Sequence, residues 1–473
     1  TRAEVGRVRE EADAAAAEWE KGKEAAEEQL VKAWREVAGR AREAAARKIG
    51  ELERDLGKVV MQRTGTSLAE VWEEGPAFAE VADRMARLQT ERDEIDKKRK
   101  ELNGMKKAAP PAGGKGADTS MPPPAMSSIE SFYIQEQDEV LKLRSTALRK
   151  EEASIVEERE KLERDRALLL REIRRQRDEN ASRFRDFPVL NERYLLMNML
   201  GRGGFSEVFK AFDLEKYEMV ACKIHQLNSF WSEEKKSNYV RHATREADIH
   251  RSLHHPRVVS LTDVFEIDGD AFCTVLEYCP GSDLEFYLKT HTTLPEREAC
   301  SIISQVLSAL LYLNSQAQRI IHFDLKPGNI LYHHGEIKIT DFGLSKVMPA
   351  THTSNEPIDL TSQGAGTYWY LPPECFETSG PTPPQISGKV DVWSAGVILY
   401  QLLFGRRPFG EGMSQEKLLR GAGAVMSAEV EFPARPAVSE TAQAFVKRCL
   451  TRRQEDRPDI RTLMNDPFLR RNR

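Results

Sequence analysis

The sequence predicts an α+β chain: long charged helices first, then a bilobal globular half that is β-rich before it is α-helical. Three observations predict it. Ala, Glu, Arg and Lys dominate residues 1–103, and charged residues dominate 129–187, a composition that favours helix. From Tyr194 short apolar runs separated by turns read as strands, and from about residue 294 the spacing becomes that of amphipathic helices. Between the helical stretches, residues 104–128 carry Pro110-Pro111, Gly113-Gly114 and Pro122-Pro123-Pro124 among Ala and Ser, as a flexible linker does.

Within residues 1–103, Ile49, Leu52, Leu56 and Val59 step by threes and fours. Phe78, Val81, Met85, Leu88 and Ile95 do the same, with Arg92 at one seam position. Both runs match coiled-coil spacing. Gly65, Gly75 and Pro76 predict a break or a turned-back hairpin between them. In 129–187, Leu141, Leu148, Ile155, Leu162 and Leu169 fall seven apart, but the companion seam is polar. Burying such a stripe yields about 1.5–3 kcal/mol per residue. Ordering each residue costs a similar amount. This helix therefore needs a partner, and self-association through coiled coils, as a dimer or larger, is expected. The plainer alternative is a solvated single helix held by Glu/Arg pairs. Pro188 ends the stretch.

Length and composition bound the rest. The 473 residues allow about three domains. A formal net charge of −5 with 31% charged residues gives no field for nucleic acid. The basic run Lys97-Lys98-Arg99-Lys100 stands beside Glu91, Asp93, Glu94 and Asp96, which dilute it; at most it reads as an import signal. The six cysteines form no CxxC pair, so neither a disulfide framework nor structural zinc is expected, and a reducing intracellular compartment fits. No apolar stretch approaches the ~20 residues of a membrane span. The charged, Ala-rich start at Thr1 is unlike a signal peptide.

The globular half carries the chemistry. Gly201-Arg202-Gly203-Gly204-Phe205-Ser206-Glu207-Val208 follows an apolar strand, and its glycines let backbone approach phosphates closely. Ser206 stands where a third glycine is usual. Val220-Ala221-Cys222-Lys223 comes next; a lysine ending a buried strand needs an anionic partner, and the α- and β-phosphates of ATP supply one. Glu246, in a helix-like stretch over residues 243–253, is the candidate salt-bridge partner of Lys223. The apolar run 272–276 enters Glu277-Tyr278-Cys279-Pro280-Gly281, a strand-to-loop passage suited to adenine; Leu276 would guard the back of the pocket and Asp283 would meet the ribose.

Residues 322–329 read His-Phe-Asp-Leu-Lys-Pro-Gly-Asn, and Asp341-Phe342-Gly343 follows. Asp324 can aim an acceptor hydroxyl and take its proton. Lys326 can neutralise a γ-phosphate as charge builds. Asn329 and Asp341 offer oxygen ligands to magnesium, a hard cation. Asp391 is expected to tie the 322–329 backbone to a buried helix, and Arg457 to pair with Glu374 at the end of the segment Gly366-Thr367-Tyr368-Trp369-Tyr370-Leu371-Pro372-Pro373-Glu374.

Residues 194–468 thus resemble a eukaryotic protein kinase, which implies the bilobal protein kinase fold, with ATP and Mg²⁺ as cofactors. Lys326 beside Asp324, with Gly366-Thr367, is similar to the serine/threonine class. The stretches 171–187, 200–209, 221–225 and 245–265, with His322-Phe323-Asp324, look like the Tousled-like kinases, as does a long helical region ahead of the domain. The resemblance implies Asp324, Lys326, Lys223 and Glu246 as catalytic residues and Asn329 and Asp341 as metal ligands. It implies nucleotide contacts at Gly201, Gly203, Gly204, Ser206, Val208, Ala221, Lys223, Leu276, Glu277, Cys279, Asp283 and Leu331. It further implies a nuclear location, oligomers, and histone chaperones as protein substrates. Two departures stand out. Phe323 replaces the arginine that pairs with a phosphorylated activation segment, so a phosphate on residues 345–367 is not expected to be read in the usual way. Gly328 replaces a common acidic residue, so arginine-directed specificity is not expected. The competing reading is a coiled-coil scaffold with a silent kinase fold, against which Lys223, Asp324, Asn329 and Asp341 all argue.

Overall fold

The computed structural model describes residues 2–64, 67–108, 128–204, 206–227, 230–347, 358–359, 367–376, 385–425 and 429–471. They form two compact units, one of residues 42–174 and one combining residues 1–41 with 175–473.

In the 42–174 unit, helix α1 (Arg2–Leu56) ends where an antiparallel ribbon begins, β1 (Gly57–Thr64) on β2 (Ser67–Glu74), and α2 (Pro76–Ala108) follows. Val59, read as the end of a helical seam, is therefore a ribbon residue facing Trp72. Two glycines explain the tight base of the ribbon. Gly57 has φ +124°, and a Cβ there would lie 2.1 Å from the Glu73 carbonyl oxygen; one on Gly75 would lie 2.5 Å from the Gly57 nitrogen. Helix α3 spans Ser128–Ala181. Most of the expected linker, 109–127, lies outside the described residues, and α2 continues through 104–108.

The leucine stripe of α3 finds its partner inside the chain. Leu141 and Ile134 pack with Ile95 and Leu102, and Ile155 packs with Val81 and Leu88. Leu169 packs with Phe78, Ile49 and Leu56. Positions rise on α3 as they fall on α2, so the pair is antiparallel. Arg92 at the seam reaches Glu152 at 3.4 Å, and Arg84 reaches Glu158 at 2.7 Å.

The other unit begins its sheet with β3 (Val189–Leu190), β4 (Tyr194–Arg202), β5 (Ser206–Asp213) and β6 (Glu218–Gln226). After helix α4 (Glu233–Arg251), β7 (Leu261–Asp268) and β8 (Ala271–Glu277) complete an antiparallel sheet ordered β3-β4-β5-β6-β8-β7. Alternation puts Tyr194, Leu196, Phe209, Ala211, Cys222, Ile224, Cys273 and Val275 into one core. The other face, with Leu195, Met197 and Phe212, packs against Leu30, Val31, Trp34 and Ala38 of α1. The Trp34 and Phe212 rings stand 4.9 Å apart, and Arg35 Nε donates to the Phe187 carbonyl at 3.2 Å.

The second lobe opens with β9 (Ser282–Asp283), α5 (Leu284–Thr290) and α6 (Glu296–Ser315). Short strands β10 (Ile320–Ile321), β11 (Ile330–His333), β12 (Glu336–Ile339) and β13 (Lys346–Val347) frame the loops between them. Helix α7 (Lys389–Phe404) is buried on nearly every side and packs with α6 in the largest core. Gly405, at φ +69°, ends it in a left-handed cap. Helix α8 (Glu440–Cys449) closes the lobe against α7. Among the described residues no helix is long and apolar enough to cross a membrane.

Candidate active site

The site is built by the loop between β10 and β11. Asp391 of α7, fully buried, accepts from the backbone N–H of His322 at 2.8 Å and of Phe323 at 2.9 Å. These two bonds hold Phe323 at φ +68°, a conformation that costs a non-glycine residue energy. Burial pushes the Asp391 carboxyl up, while His322 and the two N–H donors counter it.

The turn delivers Asp324 into a dense set of bonds. Lys326 Nζ donates to Asp324 Oδ2 at 2.8 Å, and Asn329 Nδ2 donates to the same oxygen at 3.0 Å and to the Asp324 carbonyl at 2.8 Å. Thr367 adds its N–H and its hydroxyl, each 3.2 Å from Asp324 Oδ1, and accepts from Lys326 Nζ at 2.9 Å. Thr367 served in the sequence only as a class marker; its bonds to both Asp324 and Lys326 are a long-range feature. Its neighbour Gly366 lies outside the described residues.

Across the cleft, Lys223 Nζ stands 3.3 Å from Asp341 Oδ1 and 3.9 Å from Glu246 Oε1. Burial alone would lower the lysine, but the Asp341 and Glu246 charges hold it above its ordinary value. Burial would likewise raise Asp341, and the Lys223 charge and hydrogen bond, with His322 and Lys326, keep it low. Glu246 is pushed up by burial, only partly offset by Lys223. Phe342 is buried between His250 of α4, 4.7 Å away, and His322, 5.1 Å away. That column fixes Asp341, itself at φ +68°, beside the lysine.

An apolar slot adjoins the charges. Ala221 and Leu276 belong to one cluster, with Val208, Cys279 and Leu331 packed against it. Gly201 pairs with Val208 across β4 and β5, and Gly203 N–H donates to the Ser206 carbonyl at 2.7 Å. A Cβ on Gly201 or Gly204 would meet nothing within 4 Å, so the turn keeps open space beside its backbone. Phe205 lies outside the described residues. Glu277 turns its carboxylate to Lys338, 2.8 Å away, and to the Ser260 N–H, and its own backbone N–H donates to the Ser260 carbonyl at 2.8 Å. Asp283 caps α5 by accepting from the Phe286 N–H at 2.8 Å, and it pairs in register with Leu331.

Chemically the arrangement is a carboxylate poised to take a hydroxyl proton, two lysines placed for phosphate oxygens, and an apolar slot for a base. The donor set also fits a divalent cation. The Asn329 amide nitrogen is turned to Asp324, which leaves its oxygen, with the Asp341 carboxylate, as a hard pair of ligands. Among the described residues no cluster of three or more His, Cys, Asp or Glu could hold a metal alone. A phosphate-bound magnesium needs only one or two protein carboxylates.

Comparison with known proteins agrees with this geometry. The protein kinase domain family matches residues 194–469. The chain is 50% identical over 416 residues to serine/threonine-protein kinase TOUSLED of Arabidopsis thaliana, covering 88% of this chain and 59% of that protein. It is 49% identical over 438 residues to serine/threonine-protein kinase tousled-like 1 of Homo sapiens, covering 88% and 57%. It is 47% identical over 444 residues to the tousled-like 1 kinase of Caenorhabditis elegans, covering 88% and 46%. The chain thus spans about half the length of the curated relatives it matches. With the 322–329 loop, Asp341 and the lysine–glutamate contact in one cleft, the chain belongs to the protein kinase domain family, and along 88% of its length it aligns with tousled-like serine/threonine kinases.

Proposed function

We propose that this chain is an ATP-dependent protein serine/threonine kinase of the tousled-like type. The hydrogen bonds around Asp324 carry the reading. The acceptor hydroxyl oxygen attacks the γ-phosphorus, the bond to the β–γ bridging oxygen breaks, ADP departs, and the hydroxyl proton passes to Asp324. Lys326 meets the γ-phosphate oxygens, and Lys223, held by Glu246, meets the α- and β-phosphates. Ala221, Val208, Leu276 and Leu331 sandwich the adenine, and the backbones of Glu277 and Cys279 bond its edge. Asp283 faces the ribose, and Gly201, Gly203, Gly204 and Ser206 cover the phosphates. Asn329 and Asp341 hold Mg²⁺, which neutralises charge on the phosphate oxygens when bound. Calorimetric titration with ATP tests the site. Magnesium should tighten binding in the wild type, and Asp341→Ala should abolish that enhancement; affinity indifferent to the metal in both would sink the assignment.

The finer reading follows the resemblance to tousled-like kinases. The substrates are proteins of the histone-chaperone class, the setting is nuclear, and the chain self-associates. Support for self-association comes from α3, where Tyr133, Val140 and Leu143 remain exposed although the leucine stripe is covered by α2.

A further inference from the structure

Gly328 lacks the side chain that would otherwise project beside the acceptor site, and the structure fills that position from elsewhere. A Cβ built on Gly328 would lie 3.0 Å from Glu285 Oε2 and 3.9 Å from Lys326 Cε. The carboxylate absent from the catalytic loop is thus supplied by α5, forty-odd residues earlier in the chain. We propose that Glu285 is a specificity-determining residue that recognises an arginine or lysine of the substrate near the phosphorylated serine or threonine, because its carboxylate stands where a side chain on Gly328 would be, in the same loop as Asp324.

This inference rests on the kinase reading above and names the substrate class of that same site. Three observations carry it. Helix α5 is capped at Asp283, whose carboxylate accepts from the Phe286 N–H, so the first turn that bears Glu285 is fixed in place. Among the described residues, Glu285 Oε1 makes one ion pair, with Lys289 one turn on, at 3.6 Å; the two side chains are 54% and 61% exposed. Such a pair is worth little and exchanges readily for a better partner. A peptide guanidinium is that partner, since it can meet the carboxylate with two parallel N–H donors. The nearby cation Lys326 is already bonded to Asp324 and Thr367 and does not neutralise Glu285 directly. The Glu285 charge is also felt at the buried Tyr370 phenol. Burial raises the Tyr370 phenol, Arg407 opposes the rise, and Glu285 and Glu411 add to it.

The test is a set of synthetic serine peptides on an alanine background, with one arginine walked through four positions on each side of the acceptor. The purified full chain should phosphorylate one or two of these with kcat/KM about tenfold or more above the arginine-free parent, the effect of one charge-assisted hydrogen bond. Glu285→Gln should erase that ratio. Glu285→Arg should transfer the preference to glutamate at the same peptide position. A flat wild-type profile, or a ratio that survives Glu285→Gln, overturns the assignment. Autophosphorylation without phosphorylation of any peptide overturns it too, while leaving the kinase reading intact. Absence of both activities falls on the kinase reading itself.

Discussion

Four hydrogen-bond donors converge on the Asp324 side chain, and the proposed transfer hands the acceptor proton to that carboxylate. Asp324→Asn keeps the shape and removes the base, so kcat should fall about 10²–10⁴-fold while ATP affinity stays near wild type. Steady-state kinetics with varied ATP measures both. Thr367→Ala should lower kcat as well, since Lys326 would lose an acceptor and Asp324 the hydroxyl bond, while the Thr367 backbone N–H stays on Asp324 Oδ1. Phe323 is buried in the core, with the Lys346 ammonium 5.6 Å above its ring. Phe323→Arg should therefore gain no activity from phosphate on residues 345–367; specific activity before and after phosphatase treatment reads this. His225 gives a pH prediction. It is buried, stacked 4.5 Å from Phe272 and within 3.1 Å of the Tyr239 hydroxyl, and burial first, then Lys223, push its pKa down to about 3. A depressed histidine stabilises the fold above its unfolded value near 6.5 and loses that contribution as pH falls toward 3. Stability should thus drop by about 1.4 kcal/mol between pH 7.5 and 5.5 from this residue alone. A His225→Gln variant should show a correspondingly flatter profile of melting temperature against pH. Asp324, Lys326 and Asn329 were legible as a group because they fall within eight consecutive residues. Glu285 beside Gly328 was not, because no local pattern joins α5 to the catalytic loop.

Among the elements, the last turns of α3 do more than end a helix. Glu179 is fully buried, paired with Arg175 at 2.8 Å, and accepts from the Met199 N–H of β4 at 3.3 Å. Arg175 donates to the Met199 carbonyl at 3.0 Å, and Ser182 Oγ donates to Glu207 of β5 at 2.6 Å. The helix thereby grips both strands that flank the glycine-rich turn. Glu179→Ala takes one acceptor from the half-buried Arg175 guanidinium and one from the Met199 N–H, a loss of about 1–3 kcal/mol. We expect a lower melting temperature and a raised KM for ATP, with kcat changed less; an unaltered KM would show that the grip does not reach the nucleotide. The charged pattern of 129–187 announced a helix but not this contact. Gly65, Gly75 and Pro76 did announce a break or a turned-back hairpin, and the β1–β2 ribbon stands there. Val59 continues a helical spacing by accident, and the decisive signal is the pair Gly57 and Gly75, which only the close backbone approach explains.

At the scale of the molecule, the sequence's narrow leucine stripe had suggested another chain as its partner. The structure gives Leu141, Ile155 and Leu169 partners on α2 and α1 instead, because the chain turns back and places apolar positions seven apart against one another. Self-association must then use what remains exposed. Light scattering should give a mass above 53.7 kDa for the intact chain, and Val140→Glu with Leu143→Glu should reduce it; equal masses for the two would remove α3 as the contact. The division at 174/175 also matters for any shortened chain. One that begins at residue 186 discards Glu179 and Ser182 and should be less stable than one that begins at 172. The central claim remains a transfer reaction, and one measurement reaches it directly. With γ-labelled ATP, magnesium and a protein acceptor, the wild-type chain should place label on serine or threonine, and Asp324→Asn should lose that transfer by two orders of magnitude or more. Equal labelling by both, or none by the wild type, would contradict the account.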